Sequence, residues 1–417
     1  MADDTQHIQT EIAIIGGGLA GASVAYHLAR EGYAVTLLER RETLAAEASG
    51  RNAGTLWLTG YGRTPDLDET LGMGSRDIFH ALQFERGYDL GYRQSGALQV
   101  IQTEQEYAYA RATVEEHHAQ DHRVALLTLR EAQSLEPELS PELLGAVYYP
   151  LGGAAEPAAI THALAAEAQL HGARILTQHM VTAITCDEDH HYTLTTGQGT
   201  VRAGTLVLAA GAESRRVGAL LGLNVPVYAV RGQMWSTAPQ PRRLFQSIGA
   251  VAPACYWNRE AVNAEGEQPI PAELTHRAGE RRTRHLYGQQ LRDGRIILGG
   301  DRQLVTDRSN DAQLAPDPEG IATNHTHACE VLPFLGDLPI ERTWAGLMPF
   351  TATLTPLIGA IPGYPNLYIL TGLHSAGFER GAMAGKLLSD AITTGVTPPI
   401  LAAADPAHQI RAIITSE

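Results

Sequence analysis

A glycine-rich turn near the N-terminus constrains this chain more than any other feature. The apolar run 11–15 (EIAII) is typical of a buried parallel strand, and Gly16, Gly18 and Gly21 follow it with the spacing GxGxxG. A helical stripe of alanine and leucine comes next, and residues 34–38 (AVTLL) read as a second strand. The order strand, glycine turn, helix and strand predicts a βαβ unit that binds a dinucleotide.

Each glycine of the turn has a separate physical purpose. Gly16 permits the tight turn, Gly18 lets the backbone approach a pyrophosphate, and Gly21 lets the helix pack closely on the strand. The helix that the turn opens then points its N-terminus, with its free N–H groups, at the phosphates, and Leu19 and Ala20 lie in this part of the motif. We therefore expect all five residues to contact or shape the cofactor site.

Glu39 and Arg40 close the second strand, where a carboxylate accepts hydrogen bonds from a ribose diol. This fingerprint does not separate FAD from NAD. A second loop of small residues directly after the βαβ unit favours the longer ligand, FAD. Its candidate residues are Ser49, Arg51, Asn52, Ala53 and Gly54. Arg51 faces either a phosphate or the flavin, or it lies in a surface turn.

Two kinds of segment alternate along the rest of the chain. We predict an α/β and α+β fold, in which a Rossmann-like FAD-binding domain is interleaved with a mixed-sheet substrate domain. The first domain is assigned to 1–88, 146–222 and 336–417, and the second to 89–145 and 223–335. Residues 91–101 read as a hairpin-like stretch, and the last helix is expected to begin near Gly381.

Composition excludes several functions. The formal net charge of −15 argues against nucleic acid or an anionic membrane as partner, because both require basic patches. Cys186, Cys255 and Cys329 are far apart, so no metal site or disulfide framework is indicated. The chain has no apolar h-region at its start and no run long enough to span a membrane, so we expect a cytoplasmic, reducing location.

Motifs along almost the whole chain resemble those of one family. They include IIGGGLAGASVAYHLAREGYAVTLLER, SGRNAG, GYRQSGALQV, HGARILTQHMVTAI, LVLAAGAES, PVYAVRGQM, GRIILGGD, WAGLMPFTATLTPLIG and NLYILTGLHSAGFERGAMAGKLL. In this order and spacing the chain resembles the FAD-dependent D-amino acid oxidase superfamily, particularly its glycine oxidase, sarcosine oxidase and gamma-glutamylputrescine oxidase branch. The resemblance adds further expected FAD contacts, namely Val181, Ala210, Gly211, Gly346, Gly377, Phe378 and Glu379.

The resemblance implies an amine dehydrogenation, in which a hydride leaves the carbon beside a neutral amine for flavin N5 and water hydrolyses the imine. The backbone of Val181 would meet the adenine, and the turn 372–377 with its following helix would direct N–H groups at the pyrimidine end of the flavin. No cysteine lies in the stretch where sarcosine oxidases attach their flavin, so non-covalent FAD is expected.

The chain departs from the family in two places. Met348 stands where members that act on amino acids often carry an arginine for the substrate carboxylate, which disfavours a simple α-amino acid unless another arginine such as Arg231 replaces it. Ile297 aligns with a lysine that serves oxygen activation, and the chain's single lysine is Lys386. The electron acceptor is therefore either oxygen or another compound, and the absence of a lysine at position 297 favours a dehydrogenase.

Six residues are candidates for the substrate pocket, where an aromatic wall would face a cationic or alkyl amine. They are Tyr256, Trp257, Tyr287, Gln289, Met348 and His374. Ordinary packing is the competing explanation for each of them. No general base is assigned, because the chemistry requires only a neutral amine.

Two other functions remain open from the residues. The same fold also supports oxidation of a 2-hydroxy acid, since fold alone does not fix function. A non-catalytic FAD-binding subunit of a larger complex is the third possibility, and it would carry a flavin that no amine reduces.

Overall fold

The protein is described by a computed structural model over residues 6–57, 65–119, 123–255 and 285–412. In chain order the strands are β1 Gln6–Ile15, β2 Val35–Leu38, β3 Thr55–Leu56, β4 Ala97–Ile101, β5 Ala125–Thr128, β6 Gly145–Tyr149, β7 Gly153–Ala154, β8 Arg174–Leu176, β9 Val181–Cys186, β10 Tyr192–Thr196, β11 Gly199–Leu208, β12 Leu223–Asn224, β13 Val227–Ser236, β14 Ser247–Ala250, β15 Tyr287–Gln290, β16 Ile296–Leu304, β17 Arg342–Thr351, β18 Leu357–Ala360, β19 Leu367–Thr371 and β20 Arg411–Ala412.

The helices lie between these strands. They are α1 Leu19–Arg30, α2 Pro65–His80, α3 Glu104–Ala119, α4 Leu129–Leu135, α5 Ala159–Leu170, α6 Ser214–Ala219, α7 Asp311–Leu314, α8 Pro318–Val331 and α9 Gly377–Thr394. A π-helical turn, Ala81–Glu85, extends α2. Within the described residues, no single helix is both long and apolar enough to cross a membrane, although α9 with its preceding turn and the sharply bent segment Pro399–His408 pass that test together on length and composition.

The first sheet has the order β18-β19-β11-β1-β2-β8. Its strands β8, β2, β1, β11 and β19 run parallel, and β18 is antiparallel to β19. The first half of β11 also pairs antiparallel with β10, and β10 in turn pairs antiparallel with β9. Residues 12–15 of β1 are buried on both faces, as expected for the centre of a parallel sheet covered on both sides.

Helices α1, α9 and α5 cover one face of this sheet, and α2 packs on α9. Small residues let α1 and α9 approach closely. The Ser23 hydroxyl donates to Ala382 O at 2.6 Å, and a Cβ built on Gly385 would lie 2.5 Å from the Ser23 side chain. This contact places the N-terminus of α9 beside that of α1.

The second sheet has the order β17-β13-β16-β15-β14-β4-β6-β5 and is antiparallel except for the pair β14 and β4. Helices α4 and α8 cover its outer face, with the buried Trp235 at the centre of that core. The Trp235 indole N–H donates to Asn324 Oδ1 on α8 at 2.8 Å, so its one polar atom is satisfied.

A mainly parallel sheet and a mainly antiparallel sheet, both formed from separated parts of the chain, confirm the predicted fold class. The domain division stays a prediction, and sheet pairing differs from it at two places. Strand β6 pairs with β4 and β5, and β17 pairs with β13, although 146–149 and 342–351 were assigned to the FAD-binding domain. Local pattern does not encode which strands will pair, so it did not indicate these pairings across the predicted domain boundaries.

Two local predictions were wrong. Residues 91–101 do not form a hairpin: β4 pairs with β6 and β14, and Arg93 makes an isolated bridge with Ala154. The last helix begins at Gly377 rather than near Gly381. The apolar periodicity of that helix becomes clear only after its first turn, which caused the late assignment.

Candidate functional site

A cavity lies where the carboxyl ends of β1, β2, β11 and β19 meet β13, β15 and β17 of the second sheet. It encloses about 1550 Å³ of empty space, including its open mouth. The predicted site residues that line it are Gly16, Gly18, Leu19, Ala20, Glu39, Arg40, Ser49, Arg51, Asn52, Val181, Ala210, Gly211, Tyr287, Gly346, Met348, His374, Gly377 and Phe378. This position at the carboxyl edge is where open α/β sheets bind ligands.

The glycine turn after β1 leaves room only for hydrogen at Gly16 and Gly21. Gly16 has φ +120°, and a Cβ there would overlap the carbonyl of Ala209. A Cβ on Gly21 would overlap the Gly16 carbonyl, so Gly21 sets the packing of α1 on the turn. Around Gly18 only the Ser49 hydroxyl is near, 3.1 Å from a built Cβ, so its backbone is open to the cavity.

The N-terminus of α1 has no side-chain cap at Gly18, and the Leu19 N–H donates to Ser49 Oγ at 2.9 Å. Glu39 lies beside it, 9% exposed. Its Oε2 accepts from the Gly17 N–H at 2.8 Å and its Oε1 from the Arg41 N–H at 2.7 Å. The two backbone donors fix the carboxylate while each oxygen keeps a further lone pair for a hydroxyl group.

The loop after β2 is fastened to β17. Arg51 Nε donates to Ala46 O at 2.7 Å, and its Nη1 donates to Ala345 O at 2.9 Å. The Trp344 indole N–H donates in return to Arg51 O at 3.0 Å. Arg51 therefore lines the cavity with its guanidinium anchored to backbone carbonyls, and it orders the loop.

Three arginines converge on Glu213, which follows the glycine turn after β11. Arg40 Nη1 lies 3.1 Å from Oε1, Arg216 Nε donates to Oε2 at 2.9 Å, and Arg308 also pairs with Oε1. Burial raises the pKa of Glu213, but Arg40, Arg308 and Arg216 outweigh burial and hold the pKa below its usual value. Glu47 pairs with Arg40 at 2.8 Å and with Arg41 at 2.7 Å, so four positive charges face two negative ones, which favours an anion such as a phosphate.

Uncharged side chains wall the other end of the cavity. Met348 and Met234 come from neighbouring strands, and the Tyr287 hydroxyl donates to Met234 Sδ at 3.1 Å. His374 completes this wall from the turn before α9, with its ring packed on Phe350 at 5.1 Å between centroids. We call these four residues, Met348, Met234, Tyr287 and His374, the reaction end of the cavity.

Several predicted site residues do not line the cavity. Gly21, Ala53 and Gly54 serve packing instead: Ala53 belongs to an apolar cluster with Met234, and a Cβ on Gly54 would overlap Ala155 O. Glu379 is 7% exposed, and its Oε2 accepts from the Trp57 N–H at 2.8 Å. These residues therefore support the cavity wall through packing and hydrogen bonds without lining the cavity themselves.

Gln289, predicted to meet substrate, is fully buried and does not line the cavity. Its Nε2 donates to Ala53 O at 2.5 Å and Ala155 O at 3.1 Å, and its Oε1 accepts from Arg93 at 2.8 Å. Both amide hydrogens are thereby used, so a role in substrate contact is corrected to a structural one. Tyr256 and Trp257 lie outside the described residues.

Arg231 does not replace the arginine that is missing at position 348. Gly232 and Met234 line the cavity, and side chains alternate along a strand, so Arg231 lies on the opposite face of β13. There it donates to Ala315 O at 2.7 Å and pairs with Gln303. The lysine expected at position 297 is likewise replaced, here by an isoleucine that is buried in the apolar cluster of Met234.

Several residues of the cavity wall were not among the predicted site residues. They are Gly17, Glu47, Thr55, His179, Glu213, Arg216, Gly232, Met234, Arg308, Leu347, Pro349 and Thr371. Glu213 stands inside the motif LVLAAGAES and was within reach of sequence reasoning. Arg216 and Arg308 lie in no motif, and only the fold brings them to Glu213.

Comparison with known proteins identifies relatives over nearly the whole chain. A family model described as FAD dependent oxidoreductase (DAO) matches residues 11–391. The glycine oxidase of Geobacillus kaustophilus (strain HTA426) is 28% identical over 395 residues, which is 92% of each chain. The mitochondrial dimethylglycine dehydrogenase of Mus musculus is 26% identical over 406 residues; the match covers 95% of this chain and 44% of that relative's length.

A solved structure gives the same fold. The crystal structure of glycine oxidase from Geobacillus kaustophilus superposes with a TM-score of 0.80 at 24% identity, covering 95% of this chain and 98% of the other. At this identity the likeness establishes the arrangement of the two sheets and supports no statement about substrate.

Proposed function

This chain belongs to the FAD dependent oxidoreductase family, and from that premise we propose that it oxidises the C–N bond of an amine or an N-substituted amino acid. Bound FAD would supply the acceptor for the hydride that leaves the carbon beside the amine nitrogen, and water would hydrolyse the imine product. The observation that carries the proposal is the single cavity joining the glycine turn of β1 to an uncharged reaction end.

The residues present fit FAD. The Cβ-free cradle of Gly16, Gly18 and Gly21 admits a pyrophosphate at the N-terminus of α1, and Glu39 offers carboxylate lone pairs to a ribose. The second helix N-terminus at Gly377 favours negative charge at the far end of the cofactor. Expected release of the flavin into the supernatant on acid precipitation tests non-covalent attachment.

The reaction end suits a neutral amine better than a carboxylate. Met348 and Met234 are apolar, and Tyr287 and His374 carry no charge there, because burial, followed by Arg380 and Arg302, lowers the pKa of His374 to about 3. Two relatives, named glycine oxidase and dimethylglycine dehydrogenase, support an amine as the substrate. The role of these residues is to orient the amine and exclude water.

We also propose an electron acceptor other than oxygen. Lys386 pairs with Asp390 on α9 at 2.6 Å, and Ile297 is 4% exposed within an apolar cluster, so a lysine does not serve the cavity from either place. A reducing, cytoplasmic location is part of the same proposal, supported by the free thiols of Cys186 and Cys329.

One experiment tests these proposals together. The purified protein, with its visible spectrum recorded, is titrated anaerobically with primary, secondary and tertiary amines, N-methyl amino acids and 2-hydroxy acids. Bleaching of the flavin band by an amine, with slow recovery in air, is expected. Bleaching by a 2-hydroxy acid alone, or by none of the compounds, would overturn the proposed reaction, and rapid recovery in air would identify an oxidase.

A further inference from the structure

His374 has an unusual backbone conformation that fixes its side chain. Its φ is +53°, which is uncommon for a residue other than glycine, and it follows Gly372, whose φ is +74°. A Cβ on Gly372 would lie 2.7 Å from the Thr351 side chain, so the turn packs closely on the end of β17. The imidazole is thereby held against Thr351 and Phe350.

The hydrogen bonds of Thr351 decide which ring nitrogen carries the proton. Its hydroxyl lies 2.8 Å from Thr355 O, which can only accept, so the hydroxyl hydrogen points there. The Thr351 hydroxyl oxygen also lies 3.0 Å from His374 Nε2, and it must accept a hydrogen bond from that nitrogen. Nε2 is therefore the N–H nitrogen, and Nδ1 keeps its lone pair.

Nδ1 is the ring nitrogen that remains for a ligand. It makes no hydrogen bond with the described residues, it is not among their buried unpaired atoms, and His374 is one of the residues that line the cavity. Burial, Arg380 and Arg302 keep the ring neutral by lowering its pKa. Nδ1 thus acts as a fixed hydrogen-bond acceptor rather than as a proton carrier.

We propose that Nδ1 of His374 accepts a hydrogen bond from the substrate N–H, and that the reaction end therefore selects primary and secondary amines over tertiary amines. This inference rests on the proposed amine oxidation. A neutral tertiary amine has no N–H, so it would leave Nδ1 buried against an apolar group without a partner. The Nδ1 lone pair also repels a carboxylate. The amine nitrogen of the substrate, rather than an acid group of the substrate, is therefore directed to this wall.

The test compares three amines in which N–H groups are replaced stepwise by N–CH3 groups. The probes are the primary amine that best bleaches the flavin and its singly and doubly N-methylated derivatives, each bound anaerobically to the dithionite-reduced protein. Calorimetry gives Kd without turnover, because the reduced protein cannot oxidise the amine. The measurements are made above the pKa of the amines, where the neutral forms dominate.

Three variants separate hydrogen bonding from structure. His374→Gly removes the acceptor and tolerates the positive φ, and His374→Asn keeps an acceptor oxygen in a residue type that also tolerates it. His190→Gly is the matched control, since His190 is an exposed residue of a distant turn with φ +62°. Visible spectra and flavin affinity are recorded for all three.

The wild type and the control are expected to bind the secondary amine about 10-fold more tightly than the tertiary one. His374→Gly should lose this preference, and His374→Asn should restore part of it. The inference is overturned if the wild type shows no preference, or if His374→Gly keeps it. Weakened flavin binding with unchanged amine preference would instead assign Nδ1 to the cofactor. Failure of every amine to bleach the flavin contradicts the proposed function, a separate result.

Discussion

Arg380 Nη1 lies 2.6 Å from Asp68 Oδ1, and this ion pair fastens α9 to α2 inside the protein. The two side chains are 9% and 2% exposed. Glu379, the neighbour of Arg380, is bonded to the Trp57 N–H. The first turn of α9 is thus tied to two other segments, which holds Gly377 and its N–H groups at the cavity.

This ion pair predicts an unusual pH dependence of stability. Burial raises the pKa of Asp68 to about 6, with Arg380 opposing and Glu379 reinforcing the shift. An acid with a raised folded-state pKa stabilises the fold most when protonated, and this contribution is lost as pH rises from about 4 to about 6. The free-energy advantage of the wild type over Asp68→Asn should therefore fall by about 2 to 3 kcal/mol across that window.

Urea unfolding at closely spaced pH values measures this difference. Asp77→Asn, which removes an exposed carboxylate from the same helix, is the control for a change of charge on α2. An advantage that stays constant across this window, and grows with pH only below about 4, would show that Arg380 outweighs burial and lowers the pKa of Asp68 instead.

Alanine substitutions at two glycines of the turn are expected to differ in their effects on apoprotein stability and flavin binding. Gly21→Ala should both destabilise the apoprotein and abolish flavin binding, because its Cβ would overlap the Gly16 carbonyl. Gly18→Ala should leave the unfolding temperature of the apoprotein nearly unchanged and weaken FAD binding at least about 10-fold, because its Cβ would meet only the Ser49 hydroxyl, at 3.1 Å, on the cavity side of the turn. Thermal unfolding and flavin titration measure the two effects. Equal losses of stability in both variants would contradict this division.

Met348→Arg tests whether position 348 faces the ligand. A guanidinium there would pair with a carboxylate, so the FAD-loaded variant should bind propionate at least about 10-fold more tightly, as followed by the flavin spectrum. Met348→Leu, which has similar volume and no charge, should show no gain. Unchanged propionate binding in a Met348→Arg protein with a normal spectrum would place position 348 away from the bound ligand.

Parts of the site that depend on consecutive residues were predictable. Gly16, Gly18 and Gly21 require a particular backbone conformation, and Glu39 follows at the end of the next strand, so spacing alone indicated the cofactor turn. The prediction was wrong for Gln289, because it rested only on the neighbouring residues in the chain, whereas the amide of Gln289 is used by Ala53, Ala155 and Arg93.

The sequence by itself determined the dinucleotide turn, the family and the fold class, because each rests on local backbone requirements or on motifs in a fixed order. Only the tertiary structure decided that Thr351 sets the proton of His374, that Arg308 meets Glu213, and that Arg231 faces away from the cavity. These relationships join residues distant in the chain, and they depend on strand pairing and side-chain direction, which local sequence does not specify.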